Sequence, residues 1–318
     1  MNILAFDFGG TRGRCCLAAA GGVHGDVFAL ARAPEEDGTR WLARLLELGK
    51  GLVATAKPAI VTVSFGGPVT PAGRVLSVHV CGWEKIDLVA ELKSAFKLPV
   101  CIENDANAGA VGEHRYGSGR GADFMAYLTV STGIGGGVIL GGKLYRGAHG
   151  MAGEFGHMTL RGETGAPQYA SGKPGILEAL ASGPAIARDG RAALQRLGKT
   201  VPPDFNAQTV FDAARSGEPW AIDVRDNAVS ELGRGIAAVL SAYDLQRVVI
   251  GGGVALAGDA FFVPLRAAVE RFIPSFMEGR AEIVQAAFGD YSALLGAVAT
   301  AEDFLAVGPA SPPDGASR

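Results

Sequence analysis

The chain has 318 residues, of which 48% are hydrophobic, 19% are charged and 47 are glycine, which is enough apolar material for two domains. The formal net charge is −3, and the lack of any Lys/Arg block excludes the basic footprint of a nucleic-acid-binding protein. No apolar run is long enough to span a bilayer, and the first residues lack the features of a signal peptide. The four cysteines have no metal-ligand spacing, so we expect a cytoplasmic protein with reduced thiols and no membrane partner.

Predicted strands and helices alternate through the first part of the chain. Gly9-Gly10-Thr11-Arg12-Gly13 joins the first two strands, and Phe65-Gly66-Gly67-Pro68 ends a β-branched strand. Asn104 or Asp105 can cap an Ala-rich helix that runs to about Tyr116. The strands are predicted over 3–8, 14–20, 27–31, 59–64 and 98–102, and the earlier helices over 41–52 and 87–96.

The pattern of strand, Gly-rich turn and strand then repeats, with strands over 124–130 and 138–140 around a turn from Ser131 to Gly137. Two such repeats predict two related α/β domains that face each other across a cleft. Further helices are predicted over 176–181, 184–197, 207–216, 219–242 and 292–305, and a strand over 247–250. The predicted domains are 1–117, completed by a helix at about 292–306, and 118–291, followed by a disordered tail over 307–318.

The first candidate site is the turn from Asp7 to Thr11. Gly9 and Gly10 have no Cβ, so backbone N–H groups can approach phosphate oxygens there, and Thr11 adds a hydroxyl donor. Asp7, at the end of a strand, is placed to hold Mg²⁺ through water. A plain hairpin turn with a capping Asp would explain the same residues. No Gly-Lys-Ser/Thr follows, so this is not a Walker loop.

The second Gly-rich turn can hold phosphate from the other side, with Thr132 as a donor. Taken alone, it also fits an ordinary Gly-rich hairpin. Because two such turns occur at matching points of two strand pairs, we favour a function over chance.

Two further positions carry candidate polar ligands. Asp105 starts a helix, where a carboxylate is usually a cap, but it can also take the proton of a sugar hydroxyl as phosphorus arrives. Glu154 and His157 are three residues apart and can bind vicinal hydroxyls, or they can form an ordinary polar turn.

In their order and spacing, these motifs resemble those of the ROK family (repressors, open reading frames, sugar kinases). The matching segments are 7–11, 103–108, 131–137 and 153–157, with Gly82-Trp83, Arg146-Gly147 and 177–183 as further matches. The resemblance extends to about Leu305. It implies an actin/hexokinase-like (ribonuclease H-like) fold of two domains, ATP and Mg²⁺ as cofactors, and a homodimer.

The resemblance also implies roles for individual residues. Asp105 would be the general base for the 6-hydroxyl of the sugar, and Gly67 would lend the sugar a backbone contact. The sugar ligands would be Asn104, Glu154, His157 and Glu178. The phosphate binders would be Gly10, Thr11, Thr132 and Gly133, and the adenosine pocket would include Gly252 and Gly253.

The chain departs from the family at a zinc site. Most members carry three cysteines after the Glu-x-Gly-His segment that bind a structural zinc together with that His, and here those positions fall near Tyr169, Ser171 and Ile176. Because the chain has no cysteine after Cys101, we expect no zinc, and another group must orient His157. Gln168 and Lys173 are nearby in sequence, and the contacts of the loop 161–175 stay open.

The leading interpretation is an ATP-dependent kinase for the 6-hydroxyl of a hexose. Glucose is the first choice, with N-acetylmannosamine, N-acetylglucosamine, mannose and fructose open, and polyphosphate or ADP open as donors. His79 can reach the sugar or lie in the core, and we favour the core. The alternatives are a catalytically silent sugar-binding or sensing protein, an ATPase that acts on a protein, and a sugar-sensing repressor. A repressor would need a helix-turn-helix region ahead of Asp7.

Overall fold

Two five-stranded sheets with the same strand order organise the chain, and the predicted α/β class is confirmed. The computed structural model describes residues 1–19, 21–23, 26–54, 56–77, 80–162, 166–168 and 174–307. The first unit contains Met1–Gly112 and the described residues from Ala293 onward, and the second contains Glu113–Ser292. Almost all of the tail predicted over 307–318 lies outside the described residues.

The regular elements are ten strands and nine helices within the described residues. The strands are β1 Asn2–Phe8, β2 Arg12–Ala19, β3 Val27–Ala31, β4 Pro58–Phe65, β5 Val100–Asn104, β6 Met125–Val130, β7 Ile134–Leu140, β8 Lys143–Tyr145, β9 Arg247–Gly251 and β10 Glu282–Gln285. The helices are α1 Gly38–Val53, α2 Leu88–Phe96, α3 Asp105–Tyr116, α4 Leu177–Ala181, α5 Gly183–Arg196, α6 Ala207–Arg215, α7 Pro219–Tyr243, α8 Asp259–Phe272 and α9 Ser292–Val307.

The sheet of the first unit has the order β3-β2-β1-β4-β5. β1 is parallel to β4 and β4 to β5, whereas β1-β2 and β2-β3 are antiparallel. β1 and β4 are buried along most of their length, as expected for apolar strands that are covered on both faces. α1 and α2 contribute to one apolar cluster of this unit, which includes Trp41, Leu45 and Leu92.

Helix α9 covers another part of the same sheet. Its Leu294 and Val298 form an apolar cluster with Ile3 and Ile60. The buried hydroxyl of Thr62 on β4 donates to the carbonyl of Ala297 at 2.9 Å. The last helix therefore completes the core of the first unit.

The sheet of the second unit has the order β10-β9-β6-β7-β8. Read from β8 to β10, this order matches that of the first sheet from β3 to β5 strand for strand. β6 is parallel to β9 and β9 to β10, and the hairpins β6-β7 and β7-β8 are antiparallel. A large apolar cluster joins this sheet to the helices α4 to α8. Among the described helices, none is both long enough and apolar enough to span a membrane.

Several predicted bounds are wrong. The turn predicted from Ser131 to Gly137 ends early, because β7 begins at Ile134 and Gly135, Gly136 and Gly137 pair with β6. The fifth strand lies two residues later than predicted, so that it ends at Asn104. Three elements were not predicted at all: β8, α8 and β10.

The four cysteines are free thiols, as the sequence predicts. Burial raises the pKa of Cys16 to about 12 and that of Cys101 to about 11. Burial and the neighbouring Cys16 raise the pKa of Cys15 as well. These three thiols are therefore protonated at neutral pH, while Cys81 is exposed.

We expect Gly296→Ala to destabilise the protein, because a Cβ on α9 at this position would overlap the carbonyl oxygen of Ala108 on α3. Overpacking of this kind costs about 1–3 kcal/mol. The matched control is Gly51→Ala on α1, where no described atom beyond its chain neighbours and its own helix backbone lies within 4 Å of the added Cβ, and the change should stabilise by about 0.5–1 kcal/mol. Urea unfolding measures both, and equal stabilities of the two variants would contradict the contact.

Candidate active site

The carboxyl ends of β1, β4 and β5 bring four predicted residues to one edge of the first sheet. Asp7 lies opposite Ser64, and Asn104 lies opposite Phe65, next to the turn that holds Gly67. Ligands commonly bind outside the carboxyl ends of parallel strands. The sheet therefore gathers Asp7, Gly67 and the adjacent pair Asn104 and Asp105, which come from three distant parts of the sequence.

Asp7 is buried and has two partners on neighbouring strands. Arg14 Nη1 donates to Oδ2 at 2.7 Å, and Ser64 Oγ donates to Oδ1 at 3.0 Å. Both side chains of the ion pair are largely buried, with 11% of Arg14 and 8% of Asp7 exposed. Arg14 thus compensates a charge that would otherwise be costly at this depth.

The turn after β1 is fixed through its carbonyl groups. Trp41 Nε1 donates to the carbonyl of Gly9 at 3.2 Å, and Arg32 Nε donates to that of Gly10 at 2.5 Å. The amide of Arg32 donates to the carbonyl of Thr11 at 2.9 Å. A Cβ at Gly9 would lie 2.6 Å from the carbonyl oxygen of Arg12, so this position requires glycine.

Asn104 caps helix α3 and orients its neighbours. Its Oδ1 accepts the amides of Ala106 and Asn107, each at 3.0 Å. Its Nδ2 donates to the carbonyl of Gly67 at 2.9 Å and to Asp105 Oδ1 at 3.1 Å. The capping position that the sequence left open between Asn104 and Asp105 is therefore occupied by Asn104.

Asp105 is the first residue of α3, and its carboxylate is half-buried. Oδ1 also accepts the amide of Ala106 at 2.9 Å. Oδ2 lies 3.7 Å from the point where a Cβ would stand at Gly66. Contacts to Oδ1 therefore hold the carboxylate, while Oδ2 lies beside a residue without a side chain.

The second Gly-rich turn is held by Glu178. The buried Glu178 carboxylate accepts the amide of Ile134 through Oε2 at 2.8 Å, and a Cβ at Gly133 would lie 2.5 Å from the same oxygen. The turn closes through the amide of Ser131, which donates to the carbonyl of Gly133 at 2.9 Å. Thr132 is exposed at the tip. A residue predicted to bind sugar thus contacts the turn predicted to bind phosphate.

Gly252 and Gly253 come to the same end of the second sheet. Gly252 has a φ of +85°, and a Cβ there would lie 2.5 Å from the carbonyl oxygen of Val130, at the end of β6. Gly253 lies 3.8 Å from Ser131 Oγ, measured from the point where its Cβ would stand. At the start of α5, the amide of Gly183 donates to the carbonyl of Ser131 at 2.8 Å. A helix N-terminus therefore adjoins the turn.

Glu154 and His157 lie on a segment that packs on β7. Glu154 Oε2 is 3.2 Å from His157 Nδ1. A Cβ at Gly136 would stand 2.8 Å from the carbonyl oxygen of Gly153, and one at Gly156 would overlap the carbonyl of Ile134. Gly136, which was predicted to lie in the turn, is therefore a strand residue whose missing side chain lets this segment approach β7 closely.

Glu154 is one group that orients His157, because its carboxylate lies beside the imidazole. Gln168 is exposed, while Lys173 lies outside the described residues. So do Tyr169 and Ser171, two of the three positions where zinc cysteines would fall, and the third, Ile176, is buried. His79 also lies outside them. Within the described ranges, no group of three or more His, Cys, Asp and Glu side chains is arranged to hold a metal ion.

A single carboxylate can still bind Mg²⁺ through water. Both oxygens of Asp7 already accept hydrogen bonds, and Arg14 offsets its charge, so direct coordination would require a partner to be displaced. A hard oxygen donor held in a fixed orientation does fit Mg²⁺ with an intact water shell.

Sequence reasoning missed several residues at these sites. Arg14 was placed on a strand without a role, and only the register between β1 and β2 sets it opposite Asp7. Ser64 and Gly183 were likewise not singled out. The end of β4 at Phe65, one residue after Ser64, and the Gly-Pro start of α5 were the available signals.

Known proteins resemble this chain along most of its length. A model of the ROK family matches residues 3–303. A glucokinase of Thermotoga maritima is 38% identical over 223 residues, which cover 68% of this chain and 69% of that protein. A ROK family glucokinase from Streptomyces griseus in complex with glucose and AMPPNP superposes with a TM-score of 0.84 at 28% identity, over 95% of this chain and 100% of that chain. A ROK hexokinase from Thermus thermophilus gives 0.82 at 32% identity, over 97% and 100%.

We expect Arg14→Met to lower the free energy of unfolding by about 3–5 kcal/mol, because it leaves the buried Asp7 carboxylate without its cation. The double variant Arg14→Met/Asp7→Asn should recover most of that loss, since no buried charge remains. Urea unfolding at neutral pH measures both variants. If Arg14→Met were as stable as the wild type, the ion pair would not contribute to the free energy of unfolding.

Proposed function

Because this chain belongs to the ROK family, we propose that it transfers the γ-phosphoryl group of ATP to the 6-hydroxyl of a hexose, with Asp105 as the general base. The fold is the actin/hexokinase-like fold of two domains, and the activity class is an ATP-dependent sugar kinase that acts on hexoses.

The fixed carboxylate of Asp105 carries the assignment of the base. Two donors, the amide of Ala106 and Asn104 Nδ2, hold Oδ1 at 2.9 and 3.1 Å and so set the plane of the carboxylate. A general base must be held within hydrogen-bonding distance of the proton that it takes. Oδ2 would then accept the proton of the sugar hydroxyl while phosphorus approaches the oxygen.

The sugar ligands would be side chains that are already oriented by protein contacts. Asn104 would offer its amide group, with the neighbouring Gly67 as a backbone contact. Glu154 and His157 form an acceptor and donor pair suited to vicinal hydroxyls. Glu178 would add a second carboxylate, in contact with the turn at Gly133. This set supports a polyhydroxyl ligand.

The nucleotide would be held by the two Gly-rich turns. Gly10 and Thr11 would donate to phosphate oxygens from the first unit, as would Thr132 and Gly133 from the second. The amide of Gly9 donates to the carbonyl of Arg12 at 3.1 Å, so Gly9 would shape the first turn without donating to phosphate. Gly252 and Gly253 would adjoin the adenosine. The N-terminus of α5 beside Ser131 favours negative charge, which supports a phosphate at this turn. Asp7 would hold Mg²⁺ through water, and the ion would offset the charge of the phosphates.

Glucose is the first choice of acceptor, on the strength of the glucokinase relatives. N-acetylmannosamine, N-acetylglucosamine, mannose and fructose remain candidates, because a site built from hydrogen bonds selects its sugar by the position of single hydroxyls. The homodimer expected from the resemblance stays a prediction, which sedimentation velocity would check.

We expect Asp105→Asn to lower kcat by roughly 10²–10⁴-fold while sugar binding is largely kept, because the amide cannot take the proton. ADP release with ATP, Mg²⁺ and a panel of hexoses and N-acetylhexosamines measures turnover and identifies the sugar. Sugar binding is measured separately by calorimetry. Near wild-type turnover in the variant would contradict the role of Asp105.

The matched control is Asp87→Asn, which changes an exposed cap of α2 whose side chain accepts the amide of Ala90. Asn caps a helix as well as Asp does, so turnover should not change. If no sugar is phosphorylated by the wild type but one still raises the melting temperature, the alternative of a silent sugar-binding protein is favoured.

We also expect turnover without zinc. Metal analysis of the purified protein should find far less than one zinc per chain, and a zinc-selective chelator at high Mg²⁺ should leave kcat unchanged, because the chain has no cysteine after Cys101. Stoichiometric zinc whose removal abolishes activity would contradict this expectation.

A further inference from the structure

Two candidate sugar ligands flank one short backbone ladder. The amide of Leu177 donates to the carbonyl of Met158, and the amide of Leu160 donates to that of Gly175, both at 2.9 Å. His157 directly precedes Met158, and Glu178 directly follows Leu177. The two short segments 158–161 and 175–177 therefore run side by side, and we call this pair of segments the 158–177 ladder. Because the two ligands are attached to it, its orientation affects where both of them lie.

The 158–177 ladder packs on helix α7 through a glycine. A Cβ at Gly235 would lie 2.8 Å from Leu177 Cδ2 and 3.6 Å from Leu160 Cδ1. Apolar contacts of this kind hold the ladder against the helix, but they are not directional. Such contacts do not by themselves fix the angle at which the ladder crosses α7.

One directional contact joins the ladder to α7, one helical turn before Gly235. Arg161 Nη2 donates to Glu231 Oε1 at 2.7 Å, and Arg161 Nε donates to the same oxygen at 3.2 Å. The amide of Arg161 also donates to the carbonyl of Gly175 at 3.2 Å, so Arg161 belongs to the ladder itself. The side chain of Glu231 is only 6% exposed.

The carboxylate is the buried partner of this contact, whereas 53% of the Arg161 side chain is exposed. Glu231 is fixed in the wall of α7, and the hydrogen bond to its carboxylate raises the pKa of Arg161. Arg234 Nε, at 3.7 Å from Oε2, is too distant for a hydrogen bond. Loss of Arg161 would therefore leave a buried carboxylate without its hydrogen-bonded cation.

We propose that the Arg161–Glu231 ion pair positions His157 and Glu178 for the sugar by fixing the 158–177 ladder on α7. The inference rests on the proposed function, because it takes these two residues as sugar ligands. Arg161 and Glu231 act through the ladder and need not touch the sugar themselves.

The test separates positioning from stability by comparing Arg161→Met with Arg161→Met/Glu231→Leu. The single variant should be destabilised and should bind glucose roughly tenfold more weakly, the equivalent of about one hydrogen bond. The double variant also removes the buried carboxylate that has lost its hydrogen-bonded cation, so it should recover the melting temperature, yet its glucose affinity should stay low. The pair lines a cavity of about 380 Å³, which gives room for the apolar side chains.

Calorimetry with glucose and with ADP supplies the readouts. ADP affinity should be unchanged in every variant, which shows that the nucleotide site is intact. Arg225→Met is the matched control, since Arg225 lies on α7 and pairs with Asp226 at 2.8 Å, and it has no hydrogen bond or ion pair with the described ladder residues. It should bind glucose as the wild type does. A double variant with wild-type glucose affinity would overturn the proposal.

Hydrogen exchange gives a readout that does not depend on any sugar. The amides of Leu160 and Leu177 should exchange faster in both Arg161 variants than in the Arg225 control. Unchanged exchange would overturn the proposal, even if the protein is a kinase. Faster exchange in variants of a protein that binds no hexose would support the role of the ion pair in holding the ladder on α7. The missing hexose binding would then contradict the proposed function and not the role of the ion pair.

Discussion

Backbone lies directly on backbone along β7, and the site of the second unit depends on that contact. The segment that carries Glu154 and His157 sits against Gly136, where a side chain would stand 2.8 Å from the carbonyl oxygen of Gly153. At Gly133, a side chain would meet Glu178 at 2.5 Å. Residues without Cβ atoms thus let polar groups from two other parts of the sequence approach one strand pair. The glycine content of the chain reflects this packing as much as any phosphate.

The buried carboxylates of Asp7 and Glu113 differ in the groups that donate hydrogen bonds to them. Glu113 accepts three backbone amides, those of Ser118 at 2.9 Å, Ala287 at 3.0 Å and Phe288 at 3.1 Å, and the hydroxyl of Ser292 at 2.6 Å. Such neutral donors suit an acid that only joins parts of a fold. Asp7 instead has an arginine partner, and it lies at the edge where phosphate would bind. The chemistry of the partner therefore distinguishes carboxylates of similar burial.

The sequence predicted the repeated units well, because apolar runs and Gly-rich turns are local signals. It misread Gly135 to Gly137 as a turn, since nothing local shows that these glycines pair with β6 and receive another segment. Helix α8 escaped prediction, and it contains Pro264 within its length. The partner of Asp7 also could not be predicted, because strand register decides which side chains lie opposite each other. Contacts between segments that are distant in sequence could not be predicted, because a local sequence pattern contains no information about them.

The place of α9 in the first unit has a consequence for synthesis. The ribosome adds about 5–20 residues per second, and domains generally fold as units as they emerge. The second unit, Glu113–Ser292, is one continuous stretch and is complete before α9 has been made. Until then, the face of β1 and β4 that Leu294 and Val298 cover stays open. The unit that begins first is thus finished last, and its uncovered face is the apolar surface that a ribosome-associated chaperone would meet.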